Sequence, residues 1–228
     1  MSVVDTLKKN PIFSKLREDE IKDIAGRFQE LSFKKDDSIF WEGDPSDWLY
    51  IVSEGQVKIV RHTGSGKDVI IEVVPPGEIF GGVAVLDKKP YPASALSMGR
   101  TEVIRLQRKS FLLLLDEYPG IAIESIKHFG ERLRDAHDML RSIAVERVEK
   151  RIATLLLKLS EKAGIDEGGY RKIDIYLTRQ DIAEMVGTTV ETAIRTMSRF
   201  TKDGIIRTAD GKIVIIDGRA LREIVDEG

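Results

Sequence analysis

Through the first thirty positions the apolar residues Leu7, Ile12, Phe13, Leu16, Ile21, Ile24 and Phe28 recur at mixed spacings of three and four. That period predicts helix, with Asn10-Pro11 breaking one turn from the next. From Leu31 the period falls to two. Leu31 and Phe33, then Ser38-Ile39-Phe40-Trp41, then Trp48-Leu49-Tyr50-Ile51-Val52 come as short runs, separated by Lys35-Asp36-Asp37 and Glu42-Gly43-Asp44-Pro45. Val57 and Ile59 alternate after Glu54-Gly55, and Thr63-Gly64-Ser65-Gly66-Lys67 reads as a turn. The run at residues 69–74 stops at Pro75-Pro76-Gly77. Short strands about every 8–12 residues, divided by Gly and Pro, predict an antiparallel barrel or jelly roll. A last strand pair, residues 94–98 and 103–106, is expected to close it.

After Glu117-Tyr118-Pro119 the period returns to helical. Ile126, Phe129, Leu133, His137, Leu140 and Ala144 alternate at three and four, which is the seam of a helix that pairs with its twin. The competing reading is a helix packed on its own barrel, and different faces can serve both. A second helix at residues 145–162 carries Val148, Ile152, Leu155, Leu156 and Leu159 inward. Asp166-Glu167-Gly168-Gly169 reads as a charged surface loop ahead of the strand Ile173-Asp174-Ile175-Tyr176.

Residues 177–200 organise the rest. Ile182, Ala183, Met185 and Val186 make one apolar face, and Gly187 sits where the chain must turn sharply. Thr188 with Glu191 three residues later fits a capping box. In the next helix, Ala193, Met197 and Phe200 fall at i, i+4 and i+7 and point inward. Val190, Glu191, Ile194 and Arg195 form another face, where burial does not suit the two charges. Small Ala183 and Ala193 let the helices cross closely. This is a helix-turn-helix, whose second helix would enter a DNA major groove.

Glu191 and Arg195 are also an i, i+4 pair that stabilises any surface helix by about 0.3–0.5 kcal/mol, so the segment alone could be an ordinary helical hairpin. The residues after Phe200 favour DNA. Asp203-Gly204 ends the helix, and Ile205-Ile206-Arg207 and residues 212–216 read as strands across Ala209-Asp210-Gly211, a hairpin wing. A short last helix is expected at residues 219–225.

Composition narrows the chemistry. The 228 residues are 42% hydrophobic and 32% charged, enough for two cores, and the formal net charge of −2 means that any DNA-contacting surface is local. From Thr188 to Lys202 three cations face one acid. There is no cysteine, so disulfides, Cys-ligated zinc and Cys-held iron–sulfur clusters are excluded. The start resembles no signal peptide, and no apolar run approaches the ~20 residues of a membrane span. A soluble, cytoplasmic protein without a membrane partner is expected.

Barrel, long seam helix and winged helix-turn-helix, in this order, resemble the CRP/FNR family of bacterial transcription regulators. The most specific marks are Gly43, the run from Tyr50 to Gly55, Pro76-Gly77-Glu78-Ile79-Phe80-Gly81, and Val190-Glu191-Thr192 with Arg195. Thr189-Val190-Glu191-Thr192 resembles the FNR branch. The resemblance implies an α+β chain: an N-terminal antiparallel β-roll at residues 1–118, a dimerisation helix at 119–145 and a C-terminal winged helix-turn-helix at 146–228. It implies a homodimer, gated by an effector in the β-roll, that binds palindromic double-stranded DNA with a TGA-like core in each half-site. Residues matching Thr178, Arg179, Gln180, Thr189 and Thr192 would hold phosphates, and those matching Glu191 and Arg195 would read base edges. Ile194 and Val190 share that face, and preference relaxes where Val190 points. The segment Asp166 to Arg171 lies where relatives touch RNA polymerase.

The effector side departs from the cyclic-nucleotide members. They hold the ribose with a Glu and the phosphate with an Arg-Ser pair, where this chain has Gly82, Tyr91 and Pro92. Binding of cAMP is therefore not expected. The pocket is expected at Gly81, Gly82, Val83, Ala84, Tyr91 and Pro92, with Ala136 and His137 at positions that touch the base in relatives. Pro90-Tyr91-Pro92-Ala93 resembles FNR-like members, some of which bind haem and answer nitric oxide or carbon monoxide. Haem would need an axial ligand, and His62, His128, His137 and Met98 are the candidates, His137 foremost. Two other classes compete. A metal-dependent cupin enzyme lacks the clustered histidines, and a regulatory protein-interaction module would show no DNA reading.

Overall fold

The structure is a computed structural model, and it describes residues 1–62 and 68–226. The turn read at Thr63-Gly64-Ser65-Gly66-Lys67 lies outside the described residues. Helix α1 (Val3–Lys9) starts at Ser2, whose hydroxyl accepts from the Asp5 N–H at 3.2 Å. Asn10 then breaks the chain as its neighbour Pro11 requires. Its buried amide donates to the Gly77 carbonyl at 2.8 Å and accepts from the Ile12 N–H at 3.0 Å, so both sides of the break are satisfied. Helix α2 (Glu18–Ala25) comes next and buries Ile21 and Ile24.

The β-roll comprises β1 (Gln29–Phe33), β2 (Ser38–Phe40), β3 (Trp48–Glu54), β4 (Val57–His62), β5 (Asp68–Val74), β6 (Ile79–Phe80), the short helix α3 (Gly82–Asp87), β7 (Ser94–Ser97) and β8 (Thr101–Gln107). Its strands form two antiparallel sheets, β1-β8-β3-β6 and β2-β7-β4-β5. The expected closing pair is corrected here. β7 pairs with β2 and β4 while β8 pairs with β1 and β3, so these consecutive strands go to opposite sheets. From their two sheets, Ala95 of β7 and Val103 of β8 reach the same buried cluster.

β3 is buried on both faces, which explains its unbroken apolar run. Leu49 and Ile51 face a cluster with Leu7, Phe13, Ile24, Leu106 and Phe111. Tyr50 and Val52 face the roll interior with Phe40, Phe80, Tyr91 and Val103. The turn after β3 needs glycine. Gly55 has φ +76°, and a Cβ there would collide with the Arg100 carbonyl and lie 2.8 Å from the Thr101 Cα. Gly55→Ala should destabilise the roll by about 1–3 kcal/mol. Urea unfolding followed by Trp41 and Trp48 emission checks it, and an unchanged midpoint would refute it.

Helix α4 (Arg108–Glu117), helix α5 (Pro119–Val145) and helix α6 (Val148–Ala163) continue the chain. The second helix therefore begins three residues later than expected, because α5 continues to Val145. The charged segment expected as a loop is a hairpin. β9 (Gly164–Glu167) and β10 (Tyr170–Tyr176) pair across Gly168-Gly169, both at positive φ. Helix α7 (Arg179–Val186), helix α8 (Val190–Lys202), β11 (Ile206–Ala209), β12 (Lys212–Ile215) and helix α9 (Gly218–Asp226) complete it. The wing belongs to a four-stranded sheet, β11-β12-β10-β9. The chain forms two compact units, residues 1–135 and 136–228, and the division falls within α5.

Candidate nucleic-acid interface and barrel pocket

In the second unit, α7 opens with a reciprocal cap that the sequence reading missed. The Thr178 hydroxyl accepts from the Asp181 N–H at 3.0 Å, and the Asp181 carboxylate accepts from the Thr178 N–H at 2.7 Å. Ile182, Ala183, Met185 and Val186 are buried as the spacing predicts. Gly187 ends the helix at φ 65°, ψ 53°, and the Thr188 N–H donates back to the Ala183 carbonyl at 2.9 Å.

That bond corrects the expected capping box. Thr188 belongs to the turn, and Thr189 caps α8 by accepting from the Thr192 N–H at 3.3 Å. Glu191 lies in the first helical turn, where the helix dipole favours an anion. Thr189→Ala should therefore cost about 0.5–2 kcal/mol, while Thr188→Ala stays within about 0.5 kcal/mol. Thermal melts of the two variants decide between the caps, and the reverse ranking would restore Thr188.

Ala193, Met197 and Phe200 are buried. Thr189, Glu191, Ile194 and Arg195 are exposed, with Val190 and Thr192 half-buried. Arg199 pairs with Glu149 in the first turn of α6 and holds α8 from behind. Before α7, Thr178 is exposed. Gln180, also exposed, donates to Glu184 at 2.9 Å, and burial pushes the half-buried Arg179 guanidinium below its ordinary value. The wing turns at Asp210-Gly211, both at positive φ as a two-residue hairpin needs. Directly after the turn, Lys212 pairs with Asp174 and lies 4.6 Å from the centroid of the Tyr176 ring.

In the first unit the roll holds a cavity of about 320 Å³. Gly81, Gly82, Val83, Ala84, Tyr91 and Pro92, all expected there, line it together. The sequence reading missed Phe40, Ile59, Phe80, Ala93 and Arg132, and assigned Phe129 and Leu133 only to the seam. The Arg132 guanidinium donates to the Ile79 carbonyl at 3.0 Å and pairs with Glu72, and burial pushes it below its ordinary value. Tyr91 stacks on Phe40 with centroids 3.7 Å apart, and its hydroxyl donates to the Trp48 carbonyl. Burial raises the Tyr91 phenol, so it stays protonated.

Ala136 and His137 belong to the second unit, where both are exposed. Among the described residues lining the cavity there is no His, Met or Cys, and its one tyrosine, Tyr91, has its hydroxyl on the Trp48 carbonyl. His62 is exposed near Trp41, and His128 is buried with its Nε2 3.7 Å from Glu78. The described residues contain no cluster of three or more potential metal-ligating His, Cys, Asp or Glu. Along α5, Ile126 and Leu133 in the first unit are 72% and 58% exposed, and Leu140 in the second is 67% exposed.

Residues 30–118 match the cyclic nucleotide-binding domain, and residues 150–224 match the Crp-like helix-turn-helix domain. The chain is 28% identical to the cyclic AMP receptor protein of Thermus thermophilus, across 96% of this chain and 98% of that one. It is 27% identical to the CRP-like cAMP-activated global transcriptional regulator of Mycobacterium tuberculosis, across 95% and 97%. A solved transcriptional regulator of the CRP/FNR family from Thermus thermophilus superposes with a TM-score of 0.70 at 26% identity, over 87% of this chain and 98% of that one. The chain belongs to the CRP/FNR family. A CRP/FNR regulator is a DNA-binding transcription regulator, and the relatives are regulators rather than enzymes. CRP-like helix-turn-helix regulators bind DNA as dimers. Among the described residues no helix of this CRP/FNR chain is long and apolar enough to cross a membrane.

Proposed function

We propose that this chain is a homodimeric, sequence-specific regulator of the FNR-like branch, gated by a small effector other than cAMP in the roll pocket. The exposed Glu191 and Arg195 on a helix whose other face is buried carry the DNA reading. Arg195 is suited to donate to guanine and Glu191 to accept from a cytosine amine. Thr178, Arg179, Gln180, Thr189 and Thr192 position the phosphates, and Val190 and Ile194 make apolar contact. The target is a palindrome with a TGA-like half-site. Residues 1–118 sense, residues 119–145 pair two copies and residues 146–228 bind DNA. The β9–β10 hairpin is a candidate contact for RNA polymerase.

The seam Ile126, Phe129, Leu133, His137, Leu140 and Ala144 supports pairing, since unpartnered leucines on a charged helix favour a twin. Against cAMP stand the missing phosphate grip at Tyr91 and Pro92 and an Arg132 already committed to Glu72. Haem is not proposed, because the one tyrosine of the described lining has its hydroxyl on the Trp48 carbonyl and no described lining residue is His, Met or Cys.

Fluorescence anisotropy with a palindromic duplex tests the reading. Affinity should fall linearly in log–log with salt, because basic residues displace counterions, and sedimentation should give a dimer. Salt-independent or absent DNA binding would favour the protein-interaction module instead. Saturable cAMP binding by calorimetry at micromolar concentration would remove the effector assignment alone.

A further inference from the structure

We infer that the roll pocket selects an uncharged, mainly apolar molecule and rejects the anionic form of the same body; this rests on the pocket being the effector site. Its walls are Phe40, Ile59, Phe80, Phe129 and Leu133 with the ring of Tyr91. At about 320 Å³ it is at the small end of small-molecule sites, roughly 300–1,000 Å³. What decides the class is the state of its polar groups. The Tyr91 hydroxyl is spent on the Trp48 carbonyl. The Arg132 guanidinium donates to the Ile79 carbonyl, and its charge is already paired with Glu72. Among the described lining residues Arg132 is the one that carries a charge.

An entering anion therefore meets a single cation whose charge Glu72 already balances. It can pull Arg132 from Glu72 and leave that half-buried carboxylate unpaired, share Arg132 with Glu72 against the repulsion of two neighbouring anions, or lie in the pocket without a cation. Each carries the penalty of a poorly compensated buried charge. At the start of α3 the Phe129 ring already lies against the first residue, since a Cβ on Gly82 would come within 3.3 Å of it. An uncharged apolar body meets none of these costs and gains from the area it buries.

A matched pair of dyes tests this on the full chain: N-phenyl-1-naphthylamine, which is neutral, and 8-anilino-1-naphthalenesulfonate, the same ring system with a sulfonate. The neutral dye should bind roughly tenfold or more tightly. Ala93→Phe, which fills the cavity, should weaken it by about tenfold with unchanged circular dichroism. If that variant does not fold, Leu133→Trp at an exposed lining position serves the same purpose. Glu72→Gln frees Arg132 and should narrow the gap by improving the sulfonate. Equal or tighter sulfonate binding by the wild type, no binding of either dye, or neutral-dye binding untouched by the filling variant would overturn the inference. DNA anisotropy with and without the neutral dye separates the two readings. A dye that binds as described yet leaves DNA affinity unchanged would remove the effector assignment and leave the ligand class standing.

Discussion

Arg195→Ala should lower affinity for a palindromic duplex with TGA-like half-sites by about 1–3 kcal/mol per half-site. Arg195 stands exposed on α8, one turn beyond Glu191, on the face opposite the buried Ala193, Met197 and Phe200. Because the side chain holds up none of the core, its loss should leave the melting temperature unchanged. The loss should also be specific. Binding to a scrambled duplex rests on phosphates and should fall far less, so the ratio of cognate to scrambled affinity collapses. Arg195→Lys should recover little, since an ammonium cannot match the two acceptors on one guanine edge. Anisotropy at one fixed salt concentration, with both duplexes, gives the ratio. An unchanged ratio in the alanine variant would end the base-reading role of Arg195.

Phe200→Ala should destabilise the second unit by about 3–5 kcal/mol. Phe200 is 1% exposed at the last turn of α8, and the Ile205 N–H donates to its carbonyl at 2.9 Å as the chain leaves for the wing. Truncation removes a large transfer term and leaves a cavity where helix and wing sheet converge. Set against a typical total of about 5–15 kcal/mol, that is a large share. The helical signal at 222 nm should begin to fall at lower urea. Trp41 and Trp48 both belong to the first unit, so their emission is the internal control. DNA affinity should fall with the folded fraction, with no change in the cognate-to-scrambled ratio. A wild-type urea profile would mean that Phe200 is not the keystone of this core.

These two predictions rest on information of different kinds. The inward set Ala193, Met197 and Phe200 and the outward set Glu191, Ile194 and Arg195 are separated by helical spacing alone. A 3.6-residue period is a local property, readable without knowing what lies opposite. The roll's short strands, the long helix α5 and the hairpin wing were legible for the same reason, since period and turn residues act over a few positions.

Partners distant in the chain were not legible. Nothing local distinguishes β7 and β8 as members of opposite sheets, because each alternates equally well against any neighbour. The segment Asp166-Glu167-Gly168-Gly169 looked like a loop because its edge strand is polar, and only pairing with β10 makes it a strand. Thr188 and Thr189 are chemically equal cap candidates. The backbone bond from Thr188 to Ala183 gives the cap to Thr189. The pocket was half legible: the sequence located its Gly81–Ala84 and Tyr91-Pro92 walls through their likeness to the family. The tertiary structure alone added Phe40, Ile59 and Arg132, and set Glu72 against Arg132 across the chain. By itself the sequence determined which elements form and which faces they show, because those depend on neighbours a turn away. Which strands meet, which threonine caps and which charges cancel were decided only by tertiary structure, because packing brings together groups that no local period relates.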